Sequence, residues 1–161
     1  MFYMKENLLQ YAGYNQWANK KMLHLLKTKT PELIEKEIPS SFNSIKKTIM
    51  HIADAEYIWH CRLTSSPFPD IPGQTGKPID YLEDIDQLLL DFIASKEESY
   101  FTQSTAYKNL KGESFTNVNN DILMHVFNHG TFHRGQVISM LRNAGFNKAI
   151  DSTDFIAYAR L

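Results

Sequence analysis

A chain of 161 residues, 43% hydrophobic and 22% charged, is long enough for one domain, 1–161, that buries about two-thirds of its unfolded surface. Its formal net charge of −1 argues against a nucleic-acid binder, which carries a basic face. Its single cysteine, Cys61, excludes an internal disulfide and fits a reducing compartment. No apolar run is long enough for a membrane span, and the start MFYMKENLLQ lacks the basic-then-apolar layout of a signal peptide. The expectation is a cytoplasmic protein with no membrane or nucleic-acid partner.

The first helical pattern runs from Met4 to Lys29. Leu8, Tyr11, Asn15, Ala18, Met22 and Leu25 mark its apolar face, and Pro31 stops it. Asn15 lies on that stripe, where a buried hydrogen bond is expected; Trp17 reads as a packing or interface residue. The second helix lies in SSFNSIKKTIMHIADAEYIWHCRL, with Ser41 or Ser44 as its N-cap. Ile45, Ile49, Ile52, Glu56, Trp59 and Leu63 form its stripe, with Thr48, His51, Ala55 and Ile58 alongside. His51 thus borders the core, either as a hydrogen-bonded boundary residue or as a ligand facing another helix. Cys61 reads as a small buried hydrophobe.

Ser65–Tyr81, rich in proline and glycine, is the main irregular stretch, a connection between helices that are not tight hairpin neighbours and a candidate binding rim. A third helix is expected over Leu82–Ser104, with Leu82, Ile85, Leu89, Phe92 and Ile93 inside. Its charges (Glu83, Asp84, Asp86, Lys96, Glu97, Glu98) read as a solvated face. Tyr107–Val118 reads as a short hairpin around Lys111 and Gly112. Asn119, Asn120 and Asp121 are candidate caps of the fourth helix, and Asn143, Ala144 and Gly145 its end. The tail DSTDFIAYARL suggests a short final helix. The fold class is therefore all-α, a four-helix bundle with a long loop between helices 2 and 3 and a short C-terminal helix.

The fourth helix, NDILMHVFNHGTFHRGQVISMLRNAG, carries the chemistry. His125, His129 and His133 recur every four residues and so share one face. Ile122, Val126, Val137 and Met140 continue the stripe, which puts His129 and His133 where core residues belong. A lone histidine there is usually a satisfied core or boundary residue. Two stacked imidazoles each need partners, however, and two charged ones would repel. A divalent metal removes both difficulties, because neutral imidazole is a good ligand for zinc, nickel, copper and iron. His51 is the natural third ligand. His125, one turn before His129, is open to three readings: a fourth ligand, a catalytic base behind the ligands, or a hydrogen-bond partner. Arg134 and Gln136 are expected to fix helix packing, and Gly130 and Gly135 to allow close approach of a neighbouring helix or ligand.

YNQWANKKML, SFNSIKKTIMHIADAEYIWHCRL and HVFNHGTFHRGQVISMLRNAG together resemble the DinB-like metal-binding family. These are small damage-inducible four-helix proteins related to the YfiT-like thiol transferases, not the DNA polymerase that shares the name. The resemblance implies a divalent ion, typically nickel or zinc, on the matching positions His51, His129 and His133. It also implies a homodimer formed through helix faces, with Trp17 or Trp59 as contributors. Some members use low-molecular-weight thiols such as bacillithiol, mycothiol or glutathione, so the implied function is metal-dependent thiol S-transfer on small molecules in stress or detoxification. The alternatives are a non-catalytic metal-binding stress or interaction protein and a metal-dependent hydrolase. An open metal site facing a pocket lined by Ser65–Tyr81 would favour an enzyme; a closed shell would favour the non-catalytic reading.

Overall fold

Four long helices take up the apolar stripes: α1 (Met4–Lys29), α2 (Ile45–Thr64), α3 (Pro78–Ser95) and α4 (Asn119–Asn143). The computed structural model describes residues 3–67 and 78–161, so most of the connection between α2 and α3 lies outside the described residues. A short helix, α5 (Phe155–Tyr158), closes the chain. Two antiparallel strands, β1 (Ser104–Lys108) and β2 (Ser114–Val118), pair in the register Ser104 with Val118 through Lys108 with Ser114.

Around the bundle the order is α1, α3, α2, α4, so consecutive pairs α1/α2 and α3/α4 sit on the diagonals. Side-chain contacts give the directions. Tyr11 stacks on Phe127, and Asn15 meets Arg134 further along, so α1 and α4 run parallel. His60 touches Phe92, and Tyr81 faces Asp54, so α2 and α3 also run parallel. Lys27 near the end of α1 pairs with Asp80 and Glu83 near the start of α3, which makes that pair antiparallel. Parallel neighbours cannot be joined by a tight turn. A long connection between Thr64 and Pro78 follows.

The capping signals were used in part. The Ser44 hydroxyl accepts from the Lys47 N–H at 3.2 Å, as an N-cap should. Gly145, at φ +93°, ends α4 in the left-handed conformation that favours glycine. None of the cap candidates Asn119, Asn120 and Asp121 is the N-cap of α4: β2 runs straight into the helix at Val118, without a side-chain cap. Asn119 is buried instead, accepting from the Thr105 hydroxyl at 2.6 Å and donating to the Tyr100 carbonyl at 2.9 Å. It ties the hairpin to the helix.

The third helix departs from expectation at both ends. It starts four residues before Leu82, at Pro78, whose fixed φ suits a first helical turn. It stops at Ser95 rather than Ser104, giving way to a 3₁₀ turn at Glu98–Thr102 and then to β1. The hairpin accordingly begins at Ser104 rather than Tyr107. Glu98, which follows the end of α3, is half-buried rather than on a solvated face. Its carboxylate accepts from the backbone N–H groups of Met4 at 2.7 Å and Lys5 at 3.0 Å, compensating the orphan donors and positive end of α1.

The core falls into two apolar halves. Met22, Leu26, Ile49, Ile52, Val137 and Met140 belong to one; Leu8, Leu89, Ile93, Phe101, Leu123 and Phe127 belong to the other. Between them lies a buried polar layer with at least one residue from each long helix: Asn15, Asn19, Glu56, Asp86 and Arg134. Asp86, read as solvated, is only 2% exposed. The Asn15 expectation holds, and Arg134 bonds within the bundle as anticipated.

Candidate metal centre

One face of α2 and one face of α4 meet where three imidazoles converge. His51 Nε2 lies 3.0 Å from His129 Nε2, and His133 Nε2 lies 3.1 Å from the same atom. One ligand nitrogen from each residue lies within 4.8 Å of the others. Tetrahedral ligands at a Zn–N distance of about 2.0–2.1 Å stand about 3.3 Å apart. The two separations at His129 would need to open by only a few tenths of an ångström to match that spacing.

Proton counting also favours an ion. The Gln136 amide oxygen lies 2.7 Å from His133 Nδ1 and can only accept, so Nδ1 carries a hydrogen, and in the neutral ring Nε2 then presents a lone pair. The Gln136 amide nitrogen donates in turn to the Ser41 hydroxyl at 3.2 Å. Gln136 therefore holds a prospective ligand in its ligating tautomer, in the way partners of metal-binding histidines do. His129 Nε2 faces two neighbouring nitrogens, but in either tautomer it can satisfy only one of them as donor or acceptor. His129 Nδ1 is buried with no partner. A cation shared by the three Nε2 atoms removes the conflict at the centre.

Two of the donors are held below the usual imidazole range. Burial, followed by the charge of His133, lowers His51 to about 4. Burial, followed by His133, His51 and His125, lowers His129 to about 4. Unprotonated imidazole is the form that binds metal.

Aromatic rings flank the trio. Phe42, in the segment before α2, stacks on His51 with centroids 4.2 Å apart and meets His133 edge-on at 5.7 Å. Phe132 stands edge-on to His133 at 5.1 Å and is 64% exposed. An open groove of about 760 Å³ reaches His51, lined also by Phe42, Asn43, Met50 and Asp54. The binding rim was expected from Ser65–Tyr81. Among the described residues this groove is lined instead by the segment that leads into α2 and by α2 itself, while 68–77 lies outside the described residues. Phe42 had no sequence signal beyond its place near a cap, and Gln136 was read as a packing residue.

His125 stands apart from the trio. It is exposed, its ring is 6.0 Å from that of His129, and it rests edge-on against Trp59 at 5.4 Å. Trp59 also packs on Tyr107 and under the Arg62 guanidinium. Trp17 packs against Tyr14, Tyr158 and Lys21. Gly130 meets its expected role, since a Cβ there would come within 2.9 Å of Asn15 Oδ1. Gly135 does not: it is exposed, and nothing lies within 4 Å of its Cβ position. No helix among the described residues is long and apolar enough to cross a membrane.

Known proteins bear on this geometry. A family model described as DinB family matches residues 4–160. Protein DinB of Bacillus subtilis is 30% identical over 167 residues, covering 96% of this chain and 95% of that protein. A DinB-like protein from Bacillus cereus superposes with a TM-score of 0.70 at 20% identity, over 91% of this chain and 95% of that one. YfiT from Bacillus subtilis, described as a probable metal-dependent hydrolase with an unusual four-helix bundle topology, superposes with a TM-score of 0.60 at 13% identity, over 89% of each chain. The match to the family model over nearly the whole length, with a relative of matching extent, places the chain in the DinB family.

Proposed function

We propose that the protein holds one divalent ion, nickel or zinc, on His51, His129 and His133 and uses it to activate a nucleophile against a small-molecule substrate. The observation that carries this reading is the convergence of three imidazole Nε2 atoms, with His51 lining an open groove. Three protein ligands are the pattern of catalytic rather than structural sites. When bound, such an ion supplies Lewis-acid activation, lowering the pKa of a coordinated water or thiol toward neutrality. The chain's own residues do the rest. Gln136 orients His133, Phe42 stacks on one face of His51, and the groove gives a substrate access to His51.

The nucleophile in the first reading is a low-molecular-weight thiol, which makes the protein a thiol S-transferase of the detoxification type; the support is family membership together with the open groove. The second reading is hydrolysis, favoured by the description of YfiT. A non-catalytic metal protein fits less well, because an ion serving only to brace the bundle needs no groove at its ligands. His125 is a base in this scheme only if substrate bridges the gap between it and the trio. The functional unit is a homodimer, which sedimentation at micromolar concentration tests.

The decisive experiment begins with metal analysis of the purified protein. Conjugation of bacillithiol or glutathione to an electrophile is then followed for holo, chelated and His133→Ala protein, beside an ester and amide hydrolysis screen. Activity lost on chelation and in the variant supports the reading. Full metal occupancy with neither reaction faster than background would hand the site to the non-catalytic role, and full occupancy in His129→Ala would remove the ligand assignment.

A further inference from the structure

The polar layer between the two core halves holds two carboxyl groups and one guanidinium, and its hydrogen bonds show which carboxyl is charged. Arg134 Nη1 donates to Asn15 Oδ1 at 2.6 Å and to Asn19 Oδ1 at 3.0 Å, and Nη2 donates to the Thr131 hydroxyl at 2.8 Å. Neither carboxyl receives a direct guanidinium bond. The asparagine amides serve them instead. Asn19 Nδ2 donates to Asp86 Oδ1 at 2.9 Å and Oδ2 at 3.1 Å, and Asn15 Nδ2 donates to Asp86 Oδ1 and Glu56 Oε1, both at 2.9 Å. Asp86 thus accepts from both asparagines through both its oxygens. Glu56 accepts a single bond, and its Oε2 is buried with no partner.

An ionised carboxylate with an orphan oxygen, fully buried, would be among the most expensive groups in the molecule. Glu56 and Asp86 lie within hydrogen-bonding reach of each other. A proton on Glu56 Oε2 turns that oxygen into a donor and Asp86 into its acceptor, so the orphan disappears. The layer then carries one positive charge on Arg134 and one negative on Asp86, and is neutral. Placing the proton on Asp86 would put the negative charge on Glu56, which has one amide donor, rather than on Asp86, which has three amide contacts, and is the worse arrangement.

The same layer abuts the metal-bearing turn. Gly130 follows His129 directly and Arg134 follows His133. A Cβ at Gly130 would come within 2.9 Å of Asn15 Oδ1, 3.2 Å of Arg134 Nη1 and 3.6 Å of Glu56 Oε1. The backbone of α4 between the two histidines therefore lies on the layer. We propose that Glu56 is held as the un-ionised acid, donating its O–H to Asp86, and that this neutral layer positions the turn of α4 that carries His129 and His133. Glu56 and Arg134 are then positioning residues, and only this second half rests on the metal reading.

The charged groups around Glu56 agree with the assignment. Burial, then the charge of Asp86 from α3, hold it well above the usual carboxylate range, against the pull of the Asn15 hydrogen bond and of Arg134 from α4. Burial raises Asp86 as well, opposed by Asn19, Arg134, Lys20 from α1 and Asn15. Loss of the proton would set two carboxylates against each other beneath α4. Metal affinity should then fall as pH rises, the reverse of what imidazole ligands alone would give.

The test reads the proton and the metal separately. Infrared spectra of the metal-free wild type at neutral pH should contain an un-ionised carboxyl stretch, and Glu56→Gln should lack it. Ni²⁺ affinity, measured by competition with a chromophoric chelator, should weaken from neutral to alkaline pH by up to about tenfold per pH unit, the factor for one linked proton. Glu56→Gln should flatten that slope, because its amide still donates to Asp86 and cannot ionise. Gly130→Ala, which removes no ligand, should weaken Ni²⁺ binding by about 10- to 100-fold, the usual effect of disturbing what supports a metal ligand. A wild type without the stretch at neutral pH overturns the proposal, even if Glu56→Gln fails to fold. An equal alkaline slope in folded Glu56→Gln, or undiminished binding in Gly130→Ala, overturns the positioning role. A wild type that carries the stretch but binds no Ni²⁺ overturns the metal reading and the positioning role with it, and is recognised because the stretch is read without metal.

Discussion

The protein has two polar clusters, built on opposite principles. The layer of Asn15, Asn19, Glu56, Asp86 and Arg134 mixes donors and acceptors from all four helices, and a single proton on Glu56 completes its hydrogen bonding. The trio of His51, His129 and His133 gathers three like atoms, and His129 Nε2 at their centre can satisfy only one of its two neighbours. A buried polar group that finds its partners within the chain is architecture. One that cannot find them there is asking for something from outside. The contrast separates the structural cluster from the ligand site without reference to what either resembles.

Removing the layer's only cation should produce the largest change. Arg134→Met leaves two asparagine carbonyls without their donor and the Asp86 carboxylate without its counter-charge, all buried. Breaking a buried charged network in this way costs about 3–5 kcal/mol. Urea denaturation of the metal-free protein measures it. A loss below 1 kcal/mol would mean that solvent reaches the layer, and the distinction between the clusters would weaken. The trio should answer to a smaller change nearby. Gln136→Ala frees His133 to rotate and change tautomer, and should lower Ni²⁺ or Zn²⁺ affinity by about 10- to 100-fold with little effect on the metal-free fold. An unchanged affinity would mean that the Gln136 bond plays no part in holding the ligand.

The two clusters should also respond to pH with opposite sign. His51 and His129 are lowered to about 4 in the folded chain. Between their unfolded pKa of about 6.5 and that value, the unfolded state binds more protons than the native one, so the trio's contribution to stability is lost as pH falls. Glu56 is raised instead. Above the unfolded carboxylate pKa of about 4.3 the folded state holds the extra proton, so this contribution is lost as pH rises. Metal-free stability against pH should therefore gain a steeper alkaline side from the layer and a steeper acid side from the trio. Glu56→Gln should relieve the alkaline side alone, while His129→Ala relieves the acid side alone. Matching changes on both sides in either variant would show that the clusters are one coupled system.

The sequence was more explicit about the trio than about the layer, for a physical reason. Histidines at intervals of four on an apolar stripe are conspicuous because each is out of place there, and His51 could be paired with them from its own stripe. The layer's members hide among ordinary neighbours. Asn15 was visible on its stripe. Asp86 was submerged in the acidic run Glu83–Asp84, although its spacing from Leu82, Leu89 and Ile93 puts it on the inner face. Glu98 could not have been placed from local pattern at all, because the N–H groups it accepts from lie more than ninety residues away. Helices and their faces follow from local periodicity, whereas the partners of polar groups depend on which helices are adjacent. Here the parallel α2/α3 pair and the diagonal α1/α2 pair are not what short-loop reasoning suggests.

The finest comparison is between two glycines of α4 that the sequence treats alike. Gly130 faces the layer, and a methyl group there would collide with Asn15 and Arg134; Gly135 is exposed and a methyl group would meet open space. Neither has a positive φ, so what differs between them is the neighbour and not the backbone. Gly135→Ala should therefore stabilise the protein by about 0.5–1 kcal/mol, the helix-interior difference between glycine and alanine, and should leave metal affinity unchanged. Thermal or urea melts of the two alanine variants, with and without Ni²⁺, check this together. If Gly135→Ala instead destabilises the fold or weakens the metal, its outer face touches something the monomer does not contain, and the natural suspect is a second copy of the chain packed along α4.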